Sequence, residues 1–238
     1  MSDGGKKLAA VLEELLALCQ PGVSAQDIDK KAEKLLRQTG GEPTFKGFQD
    51  YPASICISMN SEVVHGQPTG KKIFQEGDIV TVDIGLTYKG FVTDMARTIA
   101  IGDITPQARE LIRVTRESLD IAIEKAVIGN RVGDISAAVQ KHVEAAGFGV
   151  VRSLVGHGVG KNMHEDPRIP NYGSAHTGSN LAQGLTIAIE PMVTAGRYDV
   201  FTEEDGWTVK TQDGSLAAHF EDSIAVMANG PLILTRLS

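Results

Sequence analysis

The stretch GDIVTVDIGLTYKGFVTDMART, residues 77–98, decides the reading of this chain. Its first half, Ile79 to Leu86, reads as a mostly apolar β-strand. Asp83 nevertheless sits in the middle of it, and Asp94 follows in the expected return strand. A two-residue turn at Tyr88–Lys89 would set the two acids directly opposite each other; a turn at Lys89–Gly90 would make them diagonal neighbours on one face. Either register leaves their Cβ atoms roughly 5–8 Å apart. Like charges at that range repel unless one is protonated or a cation bridges them. A solvated loop position is the ordinary explanation for one such acid, and a weaker one for two in phase.

The totals bound what such a pair can belong to. With 238 residues, 42% hydrophobic and 22% charged, the chain is expected to be soluble and globular, as one large domain or two small lobes. No apolar run approaches the length of a membrane span. The N-terminal MSDGGKKLAAVLEELLALC places two lysines before an apolar stretch, as a signal peptide does. Glu13 and Glu14 interrupt that stretch and no small-residue cleavage site follows, so an amphipathic helix is predicted instead. Two cysteines, Cys19 and Cys56, are too few for a disulfide framework or a thiolate metal site and suit a reducing cytoplasm. A net charge of −7 without a long basic run argues against nucleic-acid specificity.

The chain repeats itself once. Ser24 with Asp27 resembles a capping box that opens a helix from about Ala25 to Gln38, closed by Gly40 and Gly41. Thr105–Pro106 is a cap followed by proline at the first helical position. DIDKKAEKLLRQTG runs from Asp27 to Gly40, and DISAAVQKHVEAAG from Asp134 to Gly147. Likewise EGDIVTVD ends at Asp83 and QGLTIAIE at Glu190, each a glycine followed by strand-like sequence that finishes on an acid. Two matches in one order predict an internal duplication, about 1–104 and 105–238, within a single domain. Acids ending equivalent strands would then converge on a pseudo-twofold axis.

Two more strand acids follow. Glu190 closes the apolar LTIAIEPM, and Glu221 lies among Ala218, Phe220, Ile224 and Val226 after a hairpin signal at Asp213–Gly214. Asp222 should face the opposite side from Glu221. Histidine comes from LVGHGVGKNMHEDPRIP, where glycines around His157 would let the backbone approach a ligand. A lone histidine is usually structural, but beside four oxygen donors it becomes a ligand candidate. Such a set suits two adjacent divalent cations, about 3–4 Å apart, drawn from Mn, Fe, Co or Zn.

At these residues the sequence resembles the short, bacterial-like type I methionine aminopeptidases. The motifs are YPASICISMNSEVVHG, DIVTVDIG, TDMART, GHGVG, MHEDP, IAIEPM and DGWTVKTQDGSLAAHFEDSIAV, spread from about Leu8 to Leu237. The resemblance implies an α+β, pita-bread (creatinase/aminopeptidase) fold, with pseudo-twofold-related halves, antiparallel sheet and helices outside. It implies the metal ligands Asp83, Asp94, His157, Glu190 and Glu221. Asp94 and Glu221 would bridge both cations, His157 and Glu190 complete one, and Asp83 chelate the other. It also implies removal of N-terminal methionine from peptides and nascent chains, by a water shared between the cations attacking the scissile carbonyl.

In that scheme His65 contacts substrate near the scissile amide, His164 hydrogen-bonds the scissile carbonyl and Glu190 shuttles the proton. Phe45, Tyr51, Cys56, Met163 and Trp207 would line the methionine pocket, with Phe48 nearby. Each of these apolar residues is by default ordinary core. Three departures bear on the pocket: Met163 stands where phenylalanine is usual, Phe45 where cysteine often sits, and His219 where glutamine is common. A monomer, cytoplasmic and in transient contact with the ribosome, is the corresponding expectation. A Xaa-Pro aminopeptidase of the same fold and a non-catalytic binding module are the alternatives. The first usually carries a further N-terminal domain, and the second typically loses ligands.

Overall fold

The structure is a computed structural model and describes residues 1–237. Strands Ile79–Tyr88 and Phe91–Ala100 pair antiparallel from Ile79 opposite Ala100 to Tyr88 opposite Phe91. The turn is Lys89–Gly90, with φ of 50° and 78°. Positive φ at both central residues is the type I′ geometry, whose twist matches that of the flanking strands. This register sets Asp83 opposite Ala96 and Asp94 opposite Gly85. The two acids are therefore diagonal neighbours on one face.

The hairpin is one half of a mixed construction. Among the described residues, the central sheet has nine strands. Beside Phe91–Ala100 lies Glu221–Met227, with Glu221 opposite Ala96 and Asp222 opposite Met95. Thr186–Ile189 follows, and then Gly156–Gly158 and Glu165–Ile169. Helices α1 (Ser2–Leu18) and α2 (Ala25–Gln38) cover the first half, where Leu8, Leu12, Leu15, Ile28 and Leu36 pack on Ile55, Val80, Val82 and Ile84. Helices α3 (Pro106–Lys125) and α4 (Val132–Ala145) cover the second, where Leu111, Val114, Ile135 and Val139 pack on Ile187, Ile189, Ile224 and Val226. Each such fully buried aliphatic side chain contributes roughly 1.5–3 kcal/mol, so each half carries its own apolar core.

The helix signals act where the sequence puts them. The Ser24 hydroxyl accepts the Asp27 N–H at 3.2 Å, and the Thr105 hydroxyl accepts that of Ala108 at 3.2 Å. In α4 the Asp134 carboxylate accepts the Arg131 N–H at 2.8 Å, so Asp27 and Asp134 hold the same third position of their helices. Gly40 and Gly147 leave those helices with φ of 83° and 81°.

One expectation fails. The turn at Asp213–Gly214 forms, the Gly214 N–H donating to the Thr211 carbonyl at 3.3 Å, but it does not join a hairpin. Val209–Thr211 pairs with Val200–Thr202 and Glu62–Val64, whereas Ala217–His219 pairs with Met192–Thr194. The Asp213 carboxylate accepts backbone N–H groups from Arg197 at 2.7 Å and Ser215 at 3.0 Å. That fixes the bend while leaving strand partners to the rest of the fold. Among the described residues, no helix is long and apolar enough to cross a membrane.

Candidate active site

Five elements deliver the acids and the histidine. Asp83 and Asp94 come from the hairpin and Glu221 from the start of its strand. Glu190 follows Thr186–Ile189, and His157 is the middle residue of Gly156–Gly158. All five line one cavity. The glycines beside His157 serve the sheet rather than a ligand. A Cβ on Gly156 would lie 2.5 Å from the Ala188 carbonyl oxygen, and one on Gly158 2.2 Å from that of Asp166. Only glycine lets the two neighbouring strands close on this one, and the closure aims the imidazole inward.

The acids have no basic partner. Asp94 is 3% exposed and Glu221 2%, yet among the described residues no Lys or Arg pairs with Asp83, Asp94, Glu190 or Glu221. Oδ1 of Asp83, Oδ1 of Asp94 and Oε1 of Glu221 accept no hydrogen bond. An uncompensated buried carboxylate costs several kcal/mol. The next residue shows the contrast: Asp222, fully buried, is met by Arg97 at 2.7 Å and Arg236 at 2.8 Å.

The titration behaviour follows. Burial pushes Asp94 up to about 7. Burial, then repulsion from the neighbouring acids, holds Asp83, Glu190 and Glu221 well above the usual carboxylate range. Burial lowers His157 to about 4, so it is neutral at pH 7. Its Nδ1 lies 2.8 Å from the Gly158 carbonyl, which can only accept. Nδ1 is therefore the donor, and Nε2 keeps its lone pair, 3.6 Å from Glu190 Oε1. The ligand atoms of Asp94, His157 and Glu221 lie within 4.8 Å of one another, as do those of Asp83, His219 and Glu221. Glu221 belongs to both groups. Unpaired carboxylate oxygens with an imidazole lone pair are the donor set of a divalent cation, and the residues fit one.

His219, expected only to reshape the pocket, lies beside this donor set. It is 1% exposed, and neither ring nitrogen has a partner. Its signal was its spacing: two residues before Glu221, hence on the same face of extended chain.

Hydrogen bonds brace the backbone beneath the site. The Ser223 hydroxyl accepts the Asp94 N–H and donates to the Asp94 carbonyl, both at 2.9 Å. Asn171 donates to the Glu190 carbonyl at 2.9 Å, and Arg97 to that of Glu221 at 2.5 Å.

The apolar end of the same cavity is lined by Phe45, Phe48, Tyr51, Cys56, Met163 and Trp207, with His65 and His164 at its mouth. Met163 and Trp207 pack on the buried group of Phe45, Tyr51 and Cys56. Tyr51 and Trp207 meet edge-on with ring centroids 5.0 Å apart. The Tyr51 hydroxyl donates towards the Gly66 carbonyl at 3.1 Å, which spends its polar end away from the cavity. Asp205 Oδ1 accepts the Trp207 N–H at 2.8 Å and fixes the indole's loop. The His164 ring stands edge-on to His157, centroids 4.4 Å apart. His65 follows strand Glu62–Val64 with φ of 58°. Every residue expected at the site lines this one cavity.

A cavity of this kind on this fold is that of a metal-dependent peptidase. The model of metallopeptidase family M24 matches residues 1–228, and the chain belongs to that family, whose members use divalent metal. Among the chain's most similar relatives are methionine aminopeptidases. That of Clostridium acetobutylicum is 50% identical over 99% of this chain and 94% of its own length. Methionine aminopeptidase 1 of Bacillus subtilis is 44% identical over 100% and 95%. The crystal structure of the Thermotoga maritima methionine aminopeptidase superposes with a TM-score of 0.98 at 46% identity, covering 100% of this chain and 95% of that one. A Xaa-Pro dipeptidase from Bacillus anthracis, 22% identical, shares the fold at a TM-score of 0.79, and only 59% of its chain is covered.

Proposed function

We propose that this chain is a cytoplasmic hydrolase that removes N-terminal methionine from peptides and nascent chains. One observation carries the reading: buried acids with no protein counter-charge converge with an imidazole lone pair at the floor of an apolar cavity. Asp94 and Glu221 would hold two divalent cations jointly, His157 and Glu190 completing one site and Asp83 the other. Mn, Fe, Co and Zn all suit these donors. Such cations, when bound, supply Lewis acidity that acidifies water and polarises a carbonyl.

The chain's own residues do the rest. Glu190 takes a proton from the attacking water at a carboxylate oxygen and hands it to the departing amine. His164, whose pKa partial desolvation lowers, donates an N–H to the scissile carbonyl as negative charge develops there. His65 contacts the substrate beside the scissile amide. Phe45, Tyr51, Cys56, Met163 and Trp207 wall a slot for an unbranched thioether. The equivalent positions of Asp27 and Asp134, and of Gly40 and Gly147, support an origin by duplication about residue 104.

The test is Glu190→Gln assayed on Met-Gly and Xaa-Pro peptides. Wild-type protein should release methionine in a chelator-sensitive way and leave Xaa-Pro bonds intact. The variant should bind peptide with turnover lost. Full activity in the variant, or Xaa-Pro cleavage by the wild type, overturns the assignment.

A further inference from the structure

We propose that His219 is a protein ligand to the cation held by Asp83, so that the centre carries an imidazole on each side of Glu221. The inference rests on reading the cavity as a divalent-cation centre. His219 is 1% exposed, and both of its ring nitrogens lack a hydrogen-bond partner. A fully buried imidazole with neither nitrogen satisfied is a costly arrangement that calls for a ligand. Its Nε2 lies 3.7 Å from Glu221 Oε2 and 3.9 Å from Glu190 Oε2. Those separations are too long for hydrogen bonds. The ligand atoms of Asp83, His219 and Glu221 all lie within 4.8 Å of one another, and 3.7 Å from His219 to Glu221 is the separation of donors that share one cation, since bonds of about 2.1 Å leave neighbouring ligand atoms about 3–4 Å apart.

The backbone supports the same reading. The Thr98 hydroxyl accepts the His219 N–H at 2.9 Å and donates to its carbonyl at 2.8 Å. This repeats the brace that Ser223 gives Asp94. Each clamp fixes the backbone of a residue whose side chain stands beside Glu221. An imidazole adds a stronger donor to a group otherwise made of the Asp83 and Glu221 carboxylates. The Asp83 side of the centre then holds late transition metals more tightly than oxygen ligands alone would allow.

The experiment loads the full-length protein, labelled with 15N-histidine, with cobalt(II) and counts paramagnetically shifted, exchangeable imidazole N–H resonances. Wild type should give two, from His157 and His219, and His219→Gln one. Calorimetric titration should show one cobalt equivalent weakened by at least about 10-fold in the variant, with the other unchanged. A single shifted imidazole in wild type, or unchanged affinities in the variant, overturns the assignment. Wild-type protein that binds no cobalt at all overturns the cation-centre reading as well. Should His219→Gln not fold, the wild-type resonance count decides alone.

Discussion

Replacing Asp94 by asparagine tests whether the acids are mutually destabilising in cation-free protein. Asp94 is 3% exposed, its Oδ1 accepts no hydrogen bond, and burial raises its carboxyl from 3.8 to about 7. A group whose folded value lies above its unfolded one contributes stability that is complete below the unfolded value. That contribution is lost as pH rises through the folded value. From 3.8 to about 7, the loss is on the order of 4 kcal/mol, of which roughly 3 kcal/mol develops between about pH 5 and about pH 8. At about 2–4 °C per kcal/mol for a chain of this size, that is ~6–12 °C in melting temperature. The assay is thermal unfolding of chelator-treated wild type and Asp94→Asn across this range. Asp83, Glu190 and Glu221 titrate in both proteins, but the variant also relieves the repulsion by which Asp94 raises them, so the difference reports Asp94 together with its coupling to its neighbours. The variant should gain on wild type steadily as pH rises. Saturating manganese or cobalt should reverse the order, because wild type alone keeps the shared carboxylate. A difference that stays flat from about pH 5 to about pH 8 in chelated samples would refute the argument.

Two further outcomes follow from the supporting residues. Ser223→Ala removes both hydrogen bonds to the Asp94 backbone; denaturant unfolding should show a loss of about 1–3 kcal/mol, and calorimetry weaker cation binding, whereas no change in either would mean the brace is idle. Trp207→Ala opens the wall that faces Tyr51 at 5.0 Å; steady-state kinetics should show KM for methionyl peptides rising on the order of 10-fold, or roughly 1.4 kcal/mol, and an unchanged KM would return Trp207 to ordinary packing.

What the sequence disclosed, and what it withheld, divides along the range of the forces involved. The α2 and α3 boundaries were legible because Ser24, Thr105 and Pro106 act within one helical turn of themselves. The diagonal placement of Asp83 and Asp94 needed only the choice of Lys89–Gly90 as the turn, which left-handed backbone at both residues settles. The pairing of Ala217–His219 was not legible from Asp213–Gly214. Its partner Met192–Thr194 is a separate strand, and a turn carries no information about it. The role of Gly156 and Gly158 depends on the Ala188 and Asp166 carbonyls, supplied by other strands. His219 was legible only in part: its spacing sets it on the face of Glu221, but its burial without hydrogen-bond partners, and its closeness to Asp83, come from strands elsewhere in the chain.

The two acids of Glu221–Asp222 carry the argument one step further. As sequence they are equivalent: adjacent carboxylates in an apolar strand. The pleat sends them to opposite faces, and the fold treats the faces differently. Arg97 stands three residues after Asp94 on the same strand, an odd spacing, so it projects away from Asp94. There it neutralises Asp222 together with Arg236, and Thr235 donates to the same carboxylate. One face is thus electrically complete within the protein, and the other has its charge left open towards the cavity. A slip of one residue between Phe91–Ala100 and Glu221–Met227 would exchange the faces, placing Arg97 among the cavity acids and leaving Asp222 stranded. That slip would cost two buried charge mismatches at once. The arginine network behind the sheet therefore enforces the register on which the cation-binding face depends, although none of its members touches the cavity.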